Sequence, residues 1–324
     1  MLALVYDRFG EPVDVVIPRD LPKPQPGPGQ VRMRMLRAPI HNHDLATIRG
    51  VYGYRPELPA VGGSEFVGVV DALGEGVTGV PVGARASGSG RAMWAEYVVM
   101  PAAAMVPIPD AISDDAASQL LAMPLSAVVL FDTLRLEPGM WIAQNAAGGA
   151  VGRILMQLAQ ESGVELVNLV RSEGAAKALR QHGARHVIVT AGDDWQAQAR
   201  ALTGGKGFAR IVDSVAGPQT LELQRLLAPF GQIIVFGGLS GSAIKLDPSL
   251  MISLECSVRG FWMSAWMQRA PQEERLRAMQ RVFELALSGR LPLPVEAVYP
   301  LNDAASALRA AETPGRSGKV LFST

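Results

Sequence analysis

A turn of small residues carries the clearest chemical signal in the chain. Ala146, Gly149 and Gly152 are spaced A-x-x-G-x-x-G, between a short apolar run at 141–144 and a helical apolar pattern that stops at Gly163. Small residues in such a turn let the backbone approach a phosphate group closely, and the N–H groups that open the next helix attract its charge. The segment therefore predicts a dinucleotide-binding turn. A tight turn in some other α/β domain is the alternative.

The residue that follows the next predicted strand, 164–170, indicates which dinucleotide the chain binds. It is Arg171, 19 positions after Gly152. An NAD-binding chain usually has an acid here to hold the ribose 2′-hydroxyl, whereas a guanidinium pairs with a 2′-phosphate. We therefore predict NADP(H), with Lys177 and Arg180 adding positive charge. A merely solvated arginine remains the alternative.

Composition limits the classes of protein to consider. The 324 residues exceed a typical single core, so two domains are expected. Lys+Arg and Asp+Glu both total 30, which gives no electrostatic reason to expect nucleic acid or an acidic membrane surface as a partner. The single cysteine, Cys256, excludes an internal disulfide and a multi-cysteine zinc site. No signal-peptide pattern and no long apolar run is present, so we expect a cytoplasmic protein.

The pattern of predicted secondary structure changes near residue 112. Residues 1 to about 110 contain short strand-like runs with Gly and Pro turns, which indicates a partly open barrel. Strand and helix patterns then alternate, which predicts a doubly wound parallel sheet. The fold class is thus α/β with an added β-barrel domain. We predict one domain over 1–112 and 288–324 and a nucleotide-binding domain over 113–287. The predicted elements after residue 112 are helices at 116–123, 124–134, 175–182, 194–202, 219–227 and 271–288, strands at 186–189, 211–214 and 232–236, and a final helix and strand from 298 onward.

Several motifs together resemble the medium-chain dehydrogenase/reductase superfamily over nearly the whole chain. They are GGSEFVGVVDALGEGV (62–77), AAGGAVG (146–152), DSVAG (213–217), FGG (236–238) and GKVL (318–321). Three stretches resemble its zinc-independent branch of mitochondrial-type 2-enoyl thioester reductases, which neighbours the quinone oxidoreductases: IRGVYGYRPELPAVGGSE (48–65), IAQNAAGGAVGRILMQLA (142–159) and RGFWMSAW (259–266).

The resemblance implies a GroES-like catalytic domain, a Rossmann domain, and NADPH in the cleft between them. It also implies a homodimer through the Rossmann sheet edge, near residues 243–246. Tyr52 then matches a tyrosine that donates a hydrogen bond or proton to the enolate formed when hydride adds to a conjugated C=C; Tyr54 is a competitor for this role. The predicted cofactor contacts are Ser126, Asn145, Ala147, Gly148, Gly149, Ala150, Val151, Gly152, Arg171, Lys177, Phe236, Gly237, Gly238, Phe261 and Trp262.

The substrate pocket is expected to involve His41, His43, Trp262 and Trp266, although the tryptophans are equally compatible with the core. Residues 41–44 read His-Asn-His-Asp where the reductases usually have Asn-Pro-Ser-Asp. Zinc alcohol dehydrogenases have ligands at positions equivalent to His41, Ser64 and Ala122, and only His41 could serve. No metal is therefore expected. The alternatives to an enoyl or enone reductase are an NADPH:quinone oxidoreductase, a crystallin-like NADPH-binding protein without turnover, and a zinc alcohol dehydrogenase.

Overall fold

The structure is a computed structural model that describes residues 1–324. It divides into two compact units. Unit 1 comprises residues 1–123, 284–289 and 293–324, and unit 2 comprises residues 124–283 and 290–292. The sequence predicts domain boundaries at 112/113 and 287/288, whereas the first boundary between the two units lies at 123/124. No helix combines the length and apolar character that crossing a bilayer requires.

Strands and helices are numbered in chain order. The strands are β1 Leu2–Tyr6, β2 Ile17–Asp20, β3 Gln30–Pro39, β4 Ala60–Val61, β5 Glu65–Leu73, β6 Arg85–Ser89, β7 Tyr97–Pro101, β8 Val106–Pro107, β9 Trp141–Gln144, β10 Glu165–Val170, β11 His186–Val189, β12 Phe208–Asp213, β13 Leu227–Val235, β14 Ser257–Gly260, β15 Val295–Pro300 and β16 Lys319–Ser323. The α-helices are α1 Pro12–Val15, α2 Asn42–Arg49, α3 Asp114–Ala117, α4 Met123–Thr133, α5 Ala150–Glu161, α6 Glu173–Gln181, α7 Trp195–Leu202, α8 Gln219–Gln224, α9 Pro248–Ser253, α10 Met263–Arg269, α11 Gln272–Leu287 and α12 Ala304–Glu312.

Unit 1 is built around the long strand β3. Its sheet runs β15-β16-β3-β5-β6-β8, with β7 also paired to β3, and a separate three-stranded sheet runs β2-β1-β4. Alternate residues of β3, Val31, Met33 and Met35, are completely buried, as expected where one face of a strand meets a core. The same core contains the buried aromatic side chains of Phe66 and Trp94. This sheet positions the residues that follow β3 and those that open β5.

Unit 2 is an open parallel sheet flanked by helices. Its strand order is β11-β10-β9-β12-β13-β14, and every neighbouring pair is parallel. The chain therefore reverses its direction of winding between β9 and β12, and ligands of such sheets bind at the carboxyl ends of the strands at this point. Helix α5 buries Ile154, Leu155 and Leu158 against the sheet, as their spacing predicted.

Several elements differ from the predictions; for example, α8 ends at Gln224 and not at 227, and β12 begins at Phe208 and not at 211. The predicted helix 116–123 is wrong after Ala117, because α3 ends there and the N–H of Leu121 donates to the Glu65 side chain instead of a helical carbonyl. Strand β13 starts at Leu227, five residues before the predicted start. Strands β14 and β15 and helices α9 and α10 were not predicted; in β15 the exposed face and the preceding Pro292 and Pro294 hide the strand pattern.

Candidate functional site

A glycine pair positions the polar residues that open β5. Gly62 and Gly63 lie directly against the buried indole of Trp94: a Cβ atom on Gly63 would lie 2.3 Å from Trp94 Cδ1, and one on Gly62 would lie 2.5 Å from Cε3. Gly63 also has φ of +89°. Side chains are excluded from both positions, since real Cβ atoms do not approach so closely. Ser64 and Glu65 follow this fixed turn.

Glu65 forms a buried pair with His41, the residue that precedes α2. His41 Nε2 lies 2.8 Å from Glu65 Oε2, and both side chains have zero exposure. Burial raises the pKa of Glu65 to about 8, against the opposing effect of the backbone N–H groups of Leu121 and Ala122. Burial also lowers the pKa of His41 well below its ordinary value, with further lowering by Lys319 and His43. The pair is therefore held neutral at neutral pH.

His43 lies in the first turn of α2 and, unlike His41, is partly exposed to solvent. Its ring stacks on that of His41, with centroids 5.0 Å apart and planes at 17°. Its Nε2 lies 2.7 Å from Ser64 Oγ and 3.6 Å from Asp44 Oδ1. The His43 side chain is 24% exposed, and its ring centroid lies 5.9 Å from that of Tyr52. Unit 1 thus brings together two predicted histidines and the predicted tyrosine.

Asp44 stabilises the start of α2, the helix that carries His43. Its Oδ2 accepts the backbone N–H of His41 at 2.9 Å, the reverse half of a helix-capping interaction at the start of α2. Because Asp44 is buried, its carboxylate also places negative charge beside the partly exposed imidazole of His43. This carboxylate is therefore a second polar neighbour of the His43 ring, besides Ser64.

The competing tyrosine has a different environment. The guanidinium of Arg91 lies 3.6 Å from the ring centroid of Tyr54. Arg55 lies 4.5 Å from the ring centroid of Phe9. Both arginines therefore cover aromatic rings by cation–π contacts. Tyr52 is the tyrosine that lies beside His43.

The predicted cofactor residues of unit 2 gather at the carboxyl ends of the strands. The turn at 145–149 follows β9, Arg171 follows β10, and residues 236–238 follow β13, while Phe261 follows β14. In a parallel sheet these positions share one edge. Two predicted contacts lie elsewhere along the chain: Ser126 is buried within α4, and Lys177 is exposed on α6.

The backbone of the glycine turn suits a nucleotide. A Cβ on Gly152 would lie 2.6 Å from the carbonyl oxygen of Ala147, so only glycine permits this close packing of α5. A Cβ on Gly237 would lie 2.6 Å from the carbonyl oxygen of Ser214. Gly148 has no atom within 4 Å of such a Cβ, and Gly149 is the N-cap of α5 with no side chain to cap it. The residues present therefore fit a dinucleotide phosphate group at the start of α5.

Asn145 serves this turn from inside the protein. Its Nδ2 donates to Asp213 Oδ1 at 2.6 Å, and its Oδ1 accepts the backbone N–H of Ser214 at 2.7 Å. Asp213 also accepts from the backbone N–H of Ala216 and the hydroxyl of Thr220. Asn145 and Asp213 are both buried. The side-chain amide of Asn145 thus ties the ends of β9 and β12 together beneath the predicted phosphate turn.

The aromatic residues after β14 separate into two groups. Phe261 donates its backbone N–H to Val235, and its ring centroid lies 6.0 Å from that of Phe236. Trp262 is 45% exposed. Trp266 instead lines a cavity of about 680 Å³ within unit 2, together with residues of α4, α11 and the arginines Arg135, Arg210, Arg259 and Arg277.

Four functional candidates were not predicted from the sequence: Asp44, Ser64, Glu65 and Asp213. Glu65 and Asp213 did carry a signal, since each is an acid at one end of a mostly apolar strand, where burial has to be compensated by hydrogen bonds. Ser64 and Asp44 carried none, because their role depends on where the ring of His43 lies.

Comparison with known proteins identifies both parts of the chain. Residues 27–110 match the family model described as alcohol dehydrogenase GroES-like domain, and residues 150–283 match that described as zinc-binding dehydrogenase. The chain is 32% identical to the mitochondrial enoyl-[acyl-carrier-protein] reductase of Homo sapiens, over 99% of this chain and 88% of that protein.

Solved structures agree with this assignment. A putative NADPH:quinone reductase from Bacillus thuringiensis superposes with a TM-score of 0.93 at 29% identity, covering 100% of this chain and 98% of that one. A mycobacterial protein solved in complex with NADPH has a TM-score of 0.89 at 29% identity, covering 100% of both chains. The predicted GroES-like and Rossmann-type architecture is confirmed.

The second family description, zinc-binding dehydrogenase, raises the question whether this chain binds zinc. Its residues are poorly suited to do so. No group of three or more His, Cys, Asp and Glu side chains is arranged to hold a metal ion. Nε2 of His41 is occupied by Glu65, and the lone Cys256 packs in a core cluster of unit 2 beside Gln224. A catalytic zinc needs three protein ligands, so these residues do not fit one. The family models and the relatives together show that the chain belongs to the medium-chain dehydrogenase/reductase superfamily and is an oxidoreductase.

Proposed function

We propose that this protein is an NADPH-dependent, zinc-independent reductase that transfers hydride to a conjugated C=C bond of a 2-enoyl thioester or enone. The observation that carries the proposal is the position of Tyr52 beside the His43–Ser64 pair, in a chain aligned over almost its full length with mitochondrial enoyl-[acyl-carrier-protein] reductases. Tyr52 donates a hydrogen bond or proton to the oxygen on which negative charge develops.

The cofactor is NADP(H), which supplies the hydride when bound. The phosphate turn at 145–149 and the start of α5 would hold its pyrophosphate, and Arg171 with Lys177 would pair with its 2′-phosphate. Arg171 and Lys177 are both exposed, so their cationic groups are accessible to a nucleotide. Ser126, the 236–238 segment, Phe261 and Trp262 are the proposed contacts of the remainder of the cofactor.

The choice of a conjugated acceptor follows from the donor set. An isolated carbonyl or alcohol needs strong polarisation, which zinc supplies in other members of the superfamily. A conjugated thioester or enone needs less, because the charge delocalises onto its carbonyl oxygen as hydride adds at the β-carbon. A hydrogen bond from the phenol group of a residue such as Tyr52 is suited to that oxygen.

A quinone is the second candidate acceptor. The structural neighbour from Bacillus thuringiensis is named as a putative NADPH:quinone reductase, and it shares the whole fold of this chain. A quinone is also a conjugated acceptor, and hydride transfer to it likewise places charge on an oxygen. The two candidates differ in whether a carbon atom must finally be protonated.

One set of assays separates these candidates. We would measure NADPH oxidation by EDTA-treated protein with crotonyl-CoA, a longer 2-enoyl-CoA and 1,4-benzoquinone, for the wild type, Tyr52→Phe and the matched control Tyr54→Phe. We expect enoyl-CoA reduction that survives EDTA, falls about 100-fold in Tyr52→Phe, and changes little in Tyr54→Phe. Turnover of the quinone alone, insensitive to Tyr52→Phe, would reject the enoyl reductase in favour of the quinone reductase.

Two further properties belong to this proposal. We propose a homodimer formed through the edge of the unit 2 sheet, near residues 243–246, where Ile244 is 40% exposed. Light scattering after size exclusion would test it, with a monomeric mass as the contrary result. A cytoplasmic location is also proposed, and cell fractionation would test that.

A further inference from the structure

We propose that His43 supplies the proton that completes the reduction, at the carbon atom next to the substrate carbonyl, and that Ser64 and Asp44 position its imidazole for this step. This inference rests on the proposed function, since it concerns the second half of the same reaction. It adds an acid that stands separate from Tyr52.

The chemistry requires such a group. When hydride adds to the β-carbon, the π electrons of the C=C bond move toward the carbonyl and form an enolate, whose oxygen Tyr52 stabilises. The product forms only when a proton reaches the α-carbon. In that step an N–H bond of the His43 imidazolium breaks, the enolate electron pair forms the new C–H bond, and the carbonyl is restored. The neutral imidazole then takes a proton from water, so no further reactant is needed.

The polar contacts of the ring are arranged for this task. Nε2 of His43 makes both contacts, at 2.7 Å to Ser64 Oγ and 3.6 Å to Asp44 Oδ1. When the ring carries both of its protons, Nε2–H donates to the Ser64 hydroxyl and also lies beside the buried carboxylate of Asp44. Nδ1–H is then the atom that faces away from these partners. The ring is fixed on one side by its stacking on His41.

Access and position also favour His43. Its side chain is 24% exposed, so it can exchange protons with water between turnovers. Its ring lies next to that of Tyr52, with centroids 5.9 Å apart, so an acid for the carbon and a donor for the oxygen occupy one side of unit 1. Histidine is also the side chain that most readily exchanges a proton near neutral pH.

The neighbouring acids and bases are less suitable. His41 and Glu65 are completely buried and bonded to each other, so neither can exchange a proton with water directly. The ammonium of Lys319 is directed at the carbonyl oxygen of Ile40, at 3.5 Å. The ring of Tyr54 is covered by Arg91.

The test compares acceptors that need a carbon proton with acceptors that do not. We would measure kcat and KM for crotonyl-CoA and for 1,4-benzoquinone with the wild type, His43→Asn, His43→Ala and Ser64→Ala. His182→Asn serves as the control, since His182 is an exposed histidine at the end of α6 whose Nδ1 lies 2.7 Å from the carbonyl oxygen of Ala178. Added imidazole would then be titrated into His43→Ala, where the truncated side chain leaves room for it.

We expect kcat for crotonyl-CoA to fall about 100-fold in both His43 variants, within the usual range for loss of a general acid. KM should change less than about threefold, and imidazole should restore part of kcat in His43→Ala. Ser64→Ala should lose less, and its loss should again fall on kcat. Quinone reduction should persist in every variant, because oxygen is protonated by water without help; this also reports a folded, NADPH-competent protein.

Two results would overturn the inference. In one, His43→Asn keeps its kcat for crotonyl-CoA within about threefold. In the other, kcat falls but imidazole restores none of it in His43→Ala, as a purely structural role would predict. A wild-type protein that reduces quinone but no enoyl thioester would instead reject the proposed function itself, and this inference with it.

Discussion

Nε2 of His41 lies 2.8 Å from Oε2 of Glu65, and neither side chain is exposed to solvent. These two ionisable groups are placed in a region that disfavours charge on either one. Burial raises the pKa of the Glu65 carboxyl to about 8 and lowers that of the His41 imidazole. The pair therefore links the stability of unit 1 to pH.

The direction of this link can be predicted. Between the ordinary glutamate pKa of 4.5 and about 8, the folded chain keeps a proton on Glu65 that the unfolded chain has released. Stability should therefore fall as pH rises through this range, by on the order of a few kcal/mol in total. His41 has the opposite effect below its ordinary pKa of 6.5, so the comparison is clearest between pH 7 and 9.

The variant Glu65→Gln tests this prediction. The amide mimics the neutral carboxyl, since it accepts from the N–H of Leu121 and donates to His41. We expect its urea unfolding midpoint to vary less between pH 7 and 9 than that of the wild type. Glu75→Gln, which changes an exposed glutamate in the turn after β5, is the control and should keep the wild-type slope. Equal slopes in all three proteins would show that Glu65 ionises normally.

Arg171 should determine the choice between NADPH and NADH. Its guanidinium is exposed after β10, at the carboxyl edge of the sheet, where the 2′-phosphate is expected. A charge-assisted pair is worth about 1.5–3 kcal/mol. Arg171→Glu should therefore raise KM for NADPH about 10- to 100-fold and should not raise KM for NADH.

The control for this prediction is Arg185→Glu, on the same sheet. Arg185 precedes β11, at the opposite ends of the strands, and its side chain is 73% exposed. Both variants change charge equally. Similar effects on KM from the two substitutions would indicate a general field, and no effect from Arg171→Glu would move the 2′-phosphate site elsewhere.

Gly63 should tolerate no side chain, because of Trp94. A Cβ there would lie 2.3 Å from Trp94 Cδ1, so we expect Gly63→Ala to lower the free energy of unfolding by at least about 2 kcal/mol and to reduce activity by displacing Ser64. Gly76→Ala is matched in backbone geometry, with φ of +77° but no atom within 4 Å, and should cost only about 1 kcal/mol. Chemical denaturation measures both. Equal losses would mean that backbone strain, and not the indole, requires glycine.

Asn145 should be intolerant of a charge. Asn145→Asp would place a second carboxylate against Asp213, whose Oδ1 now accepts from the Asn145 amide at 2.6 Å. Two buried carboxylates in contact repel, so we expect a loss of about 2–4 kcal/mol and weaker NADPH binding. Thermal unfolding and NADPH fluorescence titration would be compared with Asn302→Asp, at an exposed asparagine. Tight NADPH binding by a stable Asn145→Asp protein would contradict the role given to this pair.

Local features of this chain were readable from its sequence because they depend on neighbours along the chain. The strand, small-residue turn and helix from β9 to α5 follow from apolar periodicity and from glycines that a close backbone approach demands. The position of Arg171 follows from counting along the same unit. Strand β11 was predicted with its observed bounds for the same reason.

The polar pairs at the candidate sites of both units were decided by tertiary structure. His41 and Glu65 are 24 residues apart, and Asn145 and Asp213 are 68 apart, so nothing local indicates that they bond. Their pairing arises because separate strands end side by side and exclude water, which makes each buried polar group require a partner. Sequence alone determined which residue types were available for chemistry; the packing of Gly62 and Gly63 on Trp94 and the burial of Glu65 decided which of them meet.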